Sequence, residues 1–187
     1  SGRSIDGREP KYMHQRGVHA PLYNEAALGP DQVIVTEGPL DALSLLAWDY
    51  PAVALQGGAR ESAITLLRRP RRVYLCLDAD RAGRESTLRL SAALGPSVRV
   101  IALPDGTDPN DVYRTRPRSE FQTLLERAEE PVIYLLGQIP IPIPPGAFST
   151  TLAPVLRLLA TYEPLVAVAY LEQTVQPVLK LSRTLVA

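Results

Sequence analysis

A chain of 187 residues with 45% hydrophobic content can fill one compact domain, or a central domain with small attachments. Its 20 basic and 20 acidic side chains cancel, which excludes the basic surplus that a stand-alone nucleic-acid binder uses to neutralise phosphates. The single cysteine, Cys76, excludes a disulfide framework and a zinc site. What remains is an enzyme for a small substrate or one piece of a larger nucleic-acid machine. No apolar run is long enough to span a bilayer and the opening residues carry no leader pattern, so a cytoplasmic setting is expected.

Residues 1–30 are polar, rich in Gly and Pro and without periodicity. Lys11, one of only two lysines, stands in Pro10-Lys11-Tyr12; taken alone it is a solvated loop side chain. His14 and His19 have no carboxylate or cysteine partner near them in sequence and read as surface histidines. Residues 31–56 read as strand, helix, strand. Val33-Ile34-Val35 is an apolar run, Leu40, Leu43, Leu46 and Ala47 have helical spacing, and Pro51 breaks the helix before Ala52-Val53-Ala54-Leu55. Gly57-Gly58 permits a tight turn, either plain or facing a phosphate.

A short helix over 61–69 ends in Arg68-Arg69-Pro70-Arg71-Arg72, the densest basic cluster. Cations are favoured at a helix carboxyl end; contact with a nucleic-acid backbone is the alternative reading. Residues 73–103 repeat strand, helix, strand, from Val73-Tyr74-Leu75-Cys76-Leu77 through the helical spacing of Ala82, Leu88, Leu90 and Ala93 to a turn at Gly95-Pro96. Residues 104–130 hold an acidic turn, Asp105, Asp108 and Asp111, and a helix predicted over 119–128. Prolines make 139–146 an extended linker. Two amphipathic helices are predicted over 149–162 and 164–185, with Pro154 and Pro164 in first turns and Pro177 kinking or splitting the last.

Each strand run ends in a carboxylate just before a helix: Glu37 after the first, Asp78 and Asp80 after the second. In a parallel sheet this places all three at the carboxyl edge, where open α/β sheets bind ligands. Carboxylates gathered there repel one another unless cations neutralise them, and hard cations take oxygen ligands. Arg81 and Arg84 sit at a helix start, where the dipole offers cations nothing. A triphosphate or polynucleotide is one reason for them; ion pairs with the local carboxylates are the other.

The pairing of Glu37-Gly38 with a later Asp-x-Asp resembles the Toprim domain shared by primases, type IA and type II topoisomerases and some nucleases. Four landmarks in order narrow the likeness: Pro10-Lys11-Tyr12, then Glu37-Gly38 with Asp41-Ala42, then Asp78-Ala79-Asp80-Arg81-Ala82-Gly83-Arg84, then Leu103-Pro104-Asp105-Gly106-Thr107-Asp108-Pro109. Together they resemble the bacterial DnaG-type primase. The resemblance implies an α/β fold with a Rossmann-like, mainly parallel central sheet and flanking helices over 31–115. A remnant of a preceding subdomain over 1–30 and a small helical subdomain over 116–187 complete the expected organisation.

The activity implied is metal-dependent, DNA-templated synthesis of short RNA primers by nucleotidyl transfer. Glu37, Asp78 and Asp80 would be catalytic, joined by Asp41 and Asp108 around one, two or more Mg²⁺ or Mn²⁺ ions, with no zinc. Lys11, Arg81, Arg84 and Asn110 would face the nucleotide. Glu37 is open as a ligand or a general base. The implied partners are nucleoside triphosphates, a single-stranded DNA template and a replicative helicase reached through regions outside this chain, with no membrane.

Three departures from the family pattern stand out. Residues 18–28 look like a shortened basic segment. Asn110 replaces the second aspartate of the acidic turn, keeping an oxygen without its charge, with Asp111 next to it. The zinc-binding module and basic subdomain that precede this point in the family are absent, and Ser1-Gly2-Arg3 lacks a start methionine. A stretch of a longer protein, weak or inactive alone, is therefore expected. A Toprim nuclease or topoisomerase would use the same Glu and Asp residues, and a non-catalytic binding module would have no use for them.

Overall fold

The computed structural model describes residues 2–3, 12–13, 21–56, 58–143 and 146–179. Lys11, His14, His19 and Gly57 lie outside them. Strands β1 (Gly2–Arg3) and β2 (Tyr12–Met13) pair antiparallel, apart from the main sheet. The main sheet holds β3 (Leu22–Tyr23), β4 (Gln32–Thr36), β5 (Ala52–Leu55), β6 (Arg72–Leu75) and β7 (Val98–Val100) in the order β3-β5-β4-β6-β7. All its pairings are parallel except that of β3, whose Leu22 lies opposite Leu55. β3 falls within residues that sequence reading left without structure, because two residues give no periodicity to detect.

The register follows from burial. Val33 and Val35 point to one face of the sheet and Ile34 to the other, the two-residue period of a strand covered on both sides. On the first face α2 (Glu61–Leu67) and α3 (Arg81–Leu94) add Ala63, Ile64, Leu67 and Leu90. On the second, α1 (Pro39–Leu46), α4 (Pro109–Thr115) and α5 (Arg118–Glu126) add Ala42, Leu45, Val112 and Phe121. Trp48, Tyr113, Tyr50 and Phe121 form a ring cluster there, with centroids 4.9 to 5.7 Å apart.

A third core joins α6 (Pro131–Gly137) and α7 (Phe148–Leu159) with the last helical segment: Val132, Leu135, Leu136, Val155, Leu158, Leu159 and Val175. Leu88 and Ala92 of α3 pack against it. Glu130, at the start of α6, binds Arg99 of β7 at 3.2 Å and accepts the Tyr170 hydroxyl, tying the sheet edge to the terminal helices. Pro154 lies inside α7 rather than in its first turn, so the Thr150 carbonyl loses its usual N–H partner. The last predicted helix, whose residues 180–185 lie outside the described ones, divides up to Leu179 into α8 (Pro164–Tyr170), a π turn (Leu171–Val175) and α9 (Gln176–Leu179). Pro177 supplies the cause, since its missing N–H and bulky ring upset the preceding turn. Among the described residues no helix is long and apolar enough to cross a membrane.

Candidate functional site

The register of β4 against β6 sets the site. Val35 lies opposite Leu75, and the Cys76 N–H donates to the Val35 carbonyl at 2.9 Å, so the two chains leave the sheet side by side. Glu37 and Asp78 are the side chains carried out at those two ends. The buried Thr36 hydroxyl donates to the Gly38 carbonyl at 3.1 Å and holds the Glu37-Gly38 turn. On the next strand, the segment after β7 folds back toward this edge. Ala79 N–H donates to Thr107 at 3.0 Å and Gly106 N–H donates to Ala79 at 3.1 Å, which brings the turn containing Asp108 beside Asp78 and Asp80.

Three of the carboxylates also begin helices. Asp80 Oδ1 accepts the Gly83 N–H at 2.8 Å and caps α3. Asp108 Oδ1 accepts the Asp111 N–H at 2.6 Å and caps α4. Asp41 Oδ2 accepts the Gly38 N–H at 3.1 Å, and its Oδ1 accepts the Asn110 N–H at 3.3 Å. Asp41 thereby joins the start of α1 to the start of α4. Anions are stabilised at such ends by orphan N–H groups and the helix dipole.

The electrostatics are those of crowded negative charge. Glu37 is pushed up to about 7, first by burial and then by Asp78, Asp80 and Asp41, against a backbone hydrogen bond from Asp78 that pulls it down. Asp41 is pushed up to about 6 by burial, Asp108 and Asp78, opposed by its two N–H donors. Glu37 Oε1 is buried without a hydrogen-bond partner, an expensive condition for a carboxylate oxygen unless something positive approaches it.

Oxygen-only donors, mutual repulsion and this orphaned oxygen fit a hard divalent cation. As placed, no three His, Cys, Asp or Glu side chains among the described residues stand close enough together to hold one. The donor set is suited to a cation, while Asp41, Asp80 and Asp108 are each held at a helix start.

The cationic candidates sit differently. Arg81 is exposed and pairs with Glu85 one turn along α3 at 3.1 Å, the local ion pair rather than a contact with Asp78 or Asp80. Arg84 is half-buried and acts on the Tyr134 hydroxyl of α6, which burial pushes up and Arg84 pulls down. The Asn110 side chain lies 3.0 Å from the Ser44 hydroxyl of α1, and Asp111 Oδ2 lies 3.5 Å from the Asp108 N–H. Sequence reading passed over α4 and Ser44. The signal for α4 was present: Asp108-Pro109-x-Asp111 is an N-cap, a first-turn proline and an acidic third position. Ser44 carries no local signal, because its partner is 66 residues away in sequence.

The double duty of Asp108 can be measured. Asp108→Ala is expected to lower metal-free stability by about 1 kcal/mol, the usual value of an N-cap. Asp108→Asn keeps the cap and removes the charge that repels Asp41, so its stability should match or exceed that of the wild type. Urea unfolding at neutral pH in a chelator separates the two; equal losses would mean that the charge, not the cap, dominates.

Residues 34–113 match a family model described as Toprim-like. The DNA primase of Salmonella typhimurium is 30% identical over 175 residues, covering 81% of this chain and 30% of that protein. The chain thus spans about a third of the length of that relative. Its fold is similar to the Escherichia coli primase catalytic core, at TM-score 0.68 and 26% identity over 97% of this chain and 65% of the other. It is also similar to a DnaG primase catalytic domain bound to single-stranded DNA, at TM-score 0.66 and 25% identity over 92% and 63%.

Proposed function

The chain carries a Toprim domain of the DnaG-primase type, and from that premise we propose that it is the catalytic part of a primase, joining ribonucleotides on a single-stranded DNA template. The observation that carries this reading is the side-by-side exit of β4 and β6, which sets Glu37 beside Asp78 with a buried, unpartnered Glu37 oxygen. The primase identity of the Salmonella relative and the single-stranded DNA on the similar catalytic domain support the choice of substrate.

Glu37, Asp78, Asp80 and Asp108 would hold Mg²⁺ or Mn²⁺, with Asp41 behind them because both its oxygens are occupied by N–H donors. When bound, such ions supply Lewis acidity for an attacking 3′-hydroxyl and a leaving pyrophosphate. The chain's own residues do the rest. Glu37, at the end of β4, would serve either as one of these ligands or as the base that takes the proton of the attacking hydroxyl. Arg84 on the flank of the site, Arg81 once released from Glu85, and Lys11 would balance the triphosphate. A replicative helicase and a bacterial cytoplasmic setting belong to this same reading.

The test is Mn²⁺ titration calorimetry on the wild type and on a variant combining Asp78→Asn with Asp80→Asn. The asparagine at 80 preserves the cap on α3, so loss of binding reports lost charge. Binding is expected to vanish, and Asp78→Asn should abolish template-directed ribonucleotide incorporation by this chain or a longer protein containing it. Undiminished Mn²⁺ binding by the double variant would sink the proposal.

A further inference from the structure

We infer that Ser44 and Asn110 are positioning residues that clasp α4 to α1 and thereby fix the carboxylates of the site relative to one another. The inference rests on reading the carboxylate cluster as a divalent-cation site. Ser44 is 7% exposed, and its hydroxyl lies 3.0 Å from the Leu40 carbonyl and 3.0 Å from the Asn110 side chain. A hydroxyl has one proton, and the Leu40 carbonyl can only accept. Both contacts are satisfied together when Ser44 donates to Leu40 and the Asn110 amide turns its N–H₂ toward Ser44, an orientation interchangeable with its flip.

The Asn110 backbone N–H meanwhile donates to Asp41 Oδ1, and Gly38 N–H donates to Asp41 Oδ2. The bonds run from α1 to α4 and back to the turn that carries Glu37. Asp108 stands two residues before Asn110 and caps the same helix, so wherever the clasp puts α4, it puts the Asp108 carboxylate.

Such a device has a physical purpose. Asp41 and Asp108 repel each other and push the two helix starts apart. Apolar contacts, the buried Pro109 and Val112 and the Trp48–Tyr113 ring pair, also hold α4 along its length. Apolar contact is non-directional and tolerates small shifts; hydrogen bonds with fixed geometry do not. Ser44 and Asn110 supply the directional restraint at the end where the charges sit. Removing groups that orient metal ligands typically weakens binding about 10- to 100-fold.

The experiment compares four substitutions at one α1–α4 interface, each followed by thermal melting and by Mn²⁺ titration calorimetry on the whole chain. Ser44→Ala should weaken Mn²⁺ binding by about tenfold or more, with Asn110→Ala as the second variant should the first fold poorly. Ser44→Thr, which keeps the hydroxyl, should restore most of the affinity. Trp48→Phe disturbs the same helix pair at its other end and should lower the melting temperature while leaving Mn²⁺ affinity unchanged. Wild-type affinity in Ser44→Ala, or an equal loss in Trp48→Phe, would show that the clasp only holds the fold. A wild type that binds no Mn²⁺ would remove the cation reading itself and the clasp's role with it.

Discussion

Gly83→Ala is expected to destroy the site and cost at least about 3 kcal/mol of stability, at the upper end of overpacking effects. The usual rule points the other way. Gly83 lies in the first turn of α3, and replacing glycine with alanine in a helix normally stabilises by about 1 kcal/mol. Here a Cβ would stand 2.0 Å from the Asp78 carbonyl oxygen, 3.0 Å from its carbon and 3.1 Å from Glu37 Oε1. The first two are backbone atoms and cannot swing aside as a long side chain can. Relief requires α3 to move off the end of β6, which breaks the Asp80 cap on the Gly83 N–H and separates Glu37 from Asp78. Urea unfolding and Mn²⁺ titration should therefore fail together, and a variant as stable as the wild type would mean that the helix start is not seated against Asp78.

That close approach also explains part of what the sequence could reveal. The Asp-x-Asp-Arg-Ala-Gly-Arg run was legible as a strand-end acid followed by a helix, because the apolar run, the N-cap and the helical spacing are all local. Glu37-Gly38 was legible for the same reason. Strand–helix–strand alternation implies the parallel arrangement of β4 and β6; their adjacency comes from the strand order, with β5 on the other side of β4. The remainder depended on contacts between distant segments. Asn110, expected to face a nucleotide, has its side chain on Ser44 and its N–H on Asp41; no window around residue 110 contains either partner. Arg81 and Arg84 look alike in sequence, yet one turns along its own helix to Glu85 and the other toward α6. The preference of proline for first turns points to a helix starting close to Pro154, and the packing of Val155, Leu158 and Leu159 on α6 overrides that preference.

A common feature of the carboxylates is that each serves the fold and the site at once. Asp80 and Asp108 cap helices, and Asp41 binds two N–H groups between helices. These donors keep the side chains oriented before any cation arrives, the preorganisation that makes ligand binding less costly. Glu37 differs: its Oε1 is left buried without a hydrogen bond, and burial weighs on it most. That uncompensated oxygen stands just past the end of β4.

Metal-free stability should consequently fall as pH rises through the weakly acidic range, opposite to the common behaviour of paired carboxylates. The sign follows from the two raised groups. Glu37 goes from 4.5 to about 7 and Asp41 from 3.8 to about 6, so between those values the folded chain keeps protons that the unfolded chain has released. Stability then declines with pH. The contribution is fully present below about pH 4 and is lost once pH passes the folded values near 6 and 7. At about 1.4 kcal/mol per unit, the Glu37 shift corresponds to at most about 3 kcal/mol, lowered by solvent screening of a half-buried group, and Asp41 adds less than its separate share because the two titrate as a coupled set. Urea unfolding in a chelator should show the protein more stable near pH 5 than near pH 7.5 by about 2 kcal/mol. Glu37→Gln should flatten most of that slope. Saturating Mn²⁺ should flatten it too, since a cation takes the place of the released protons and binds only the folded arrangement. A chelated wild type whose stability stays level or rises across the same window would mean that these carboxylates are neither as buried nor as crowded as the fold places them.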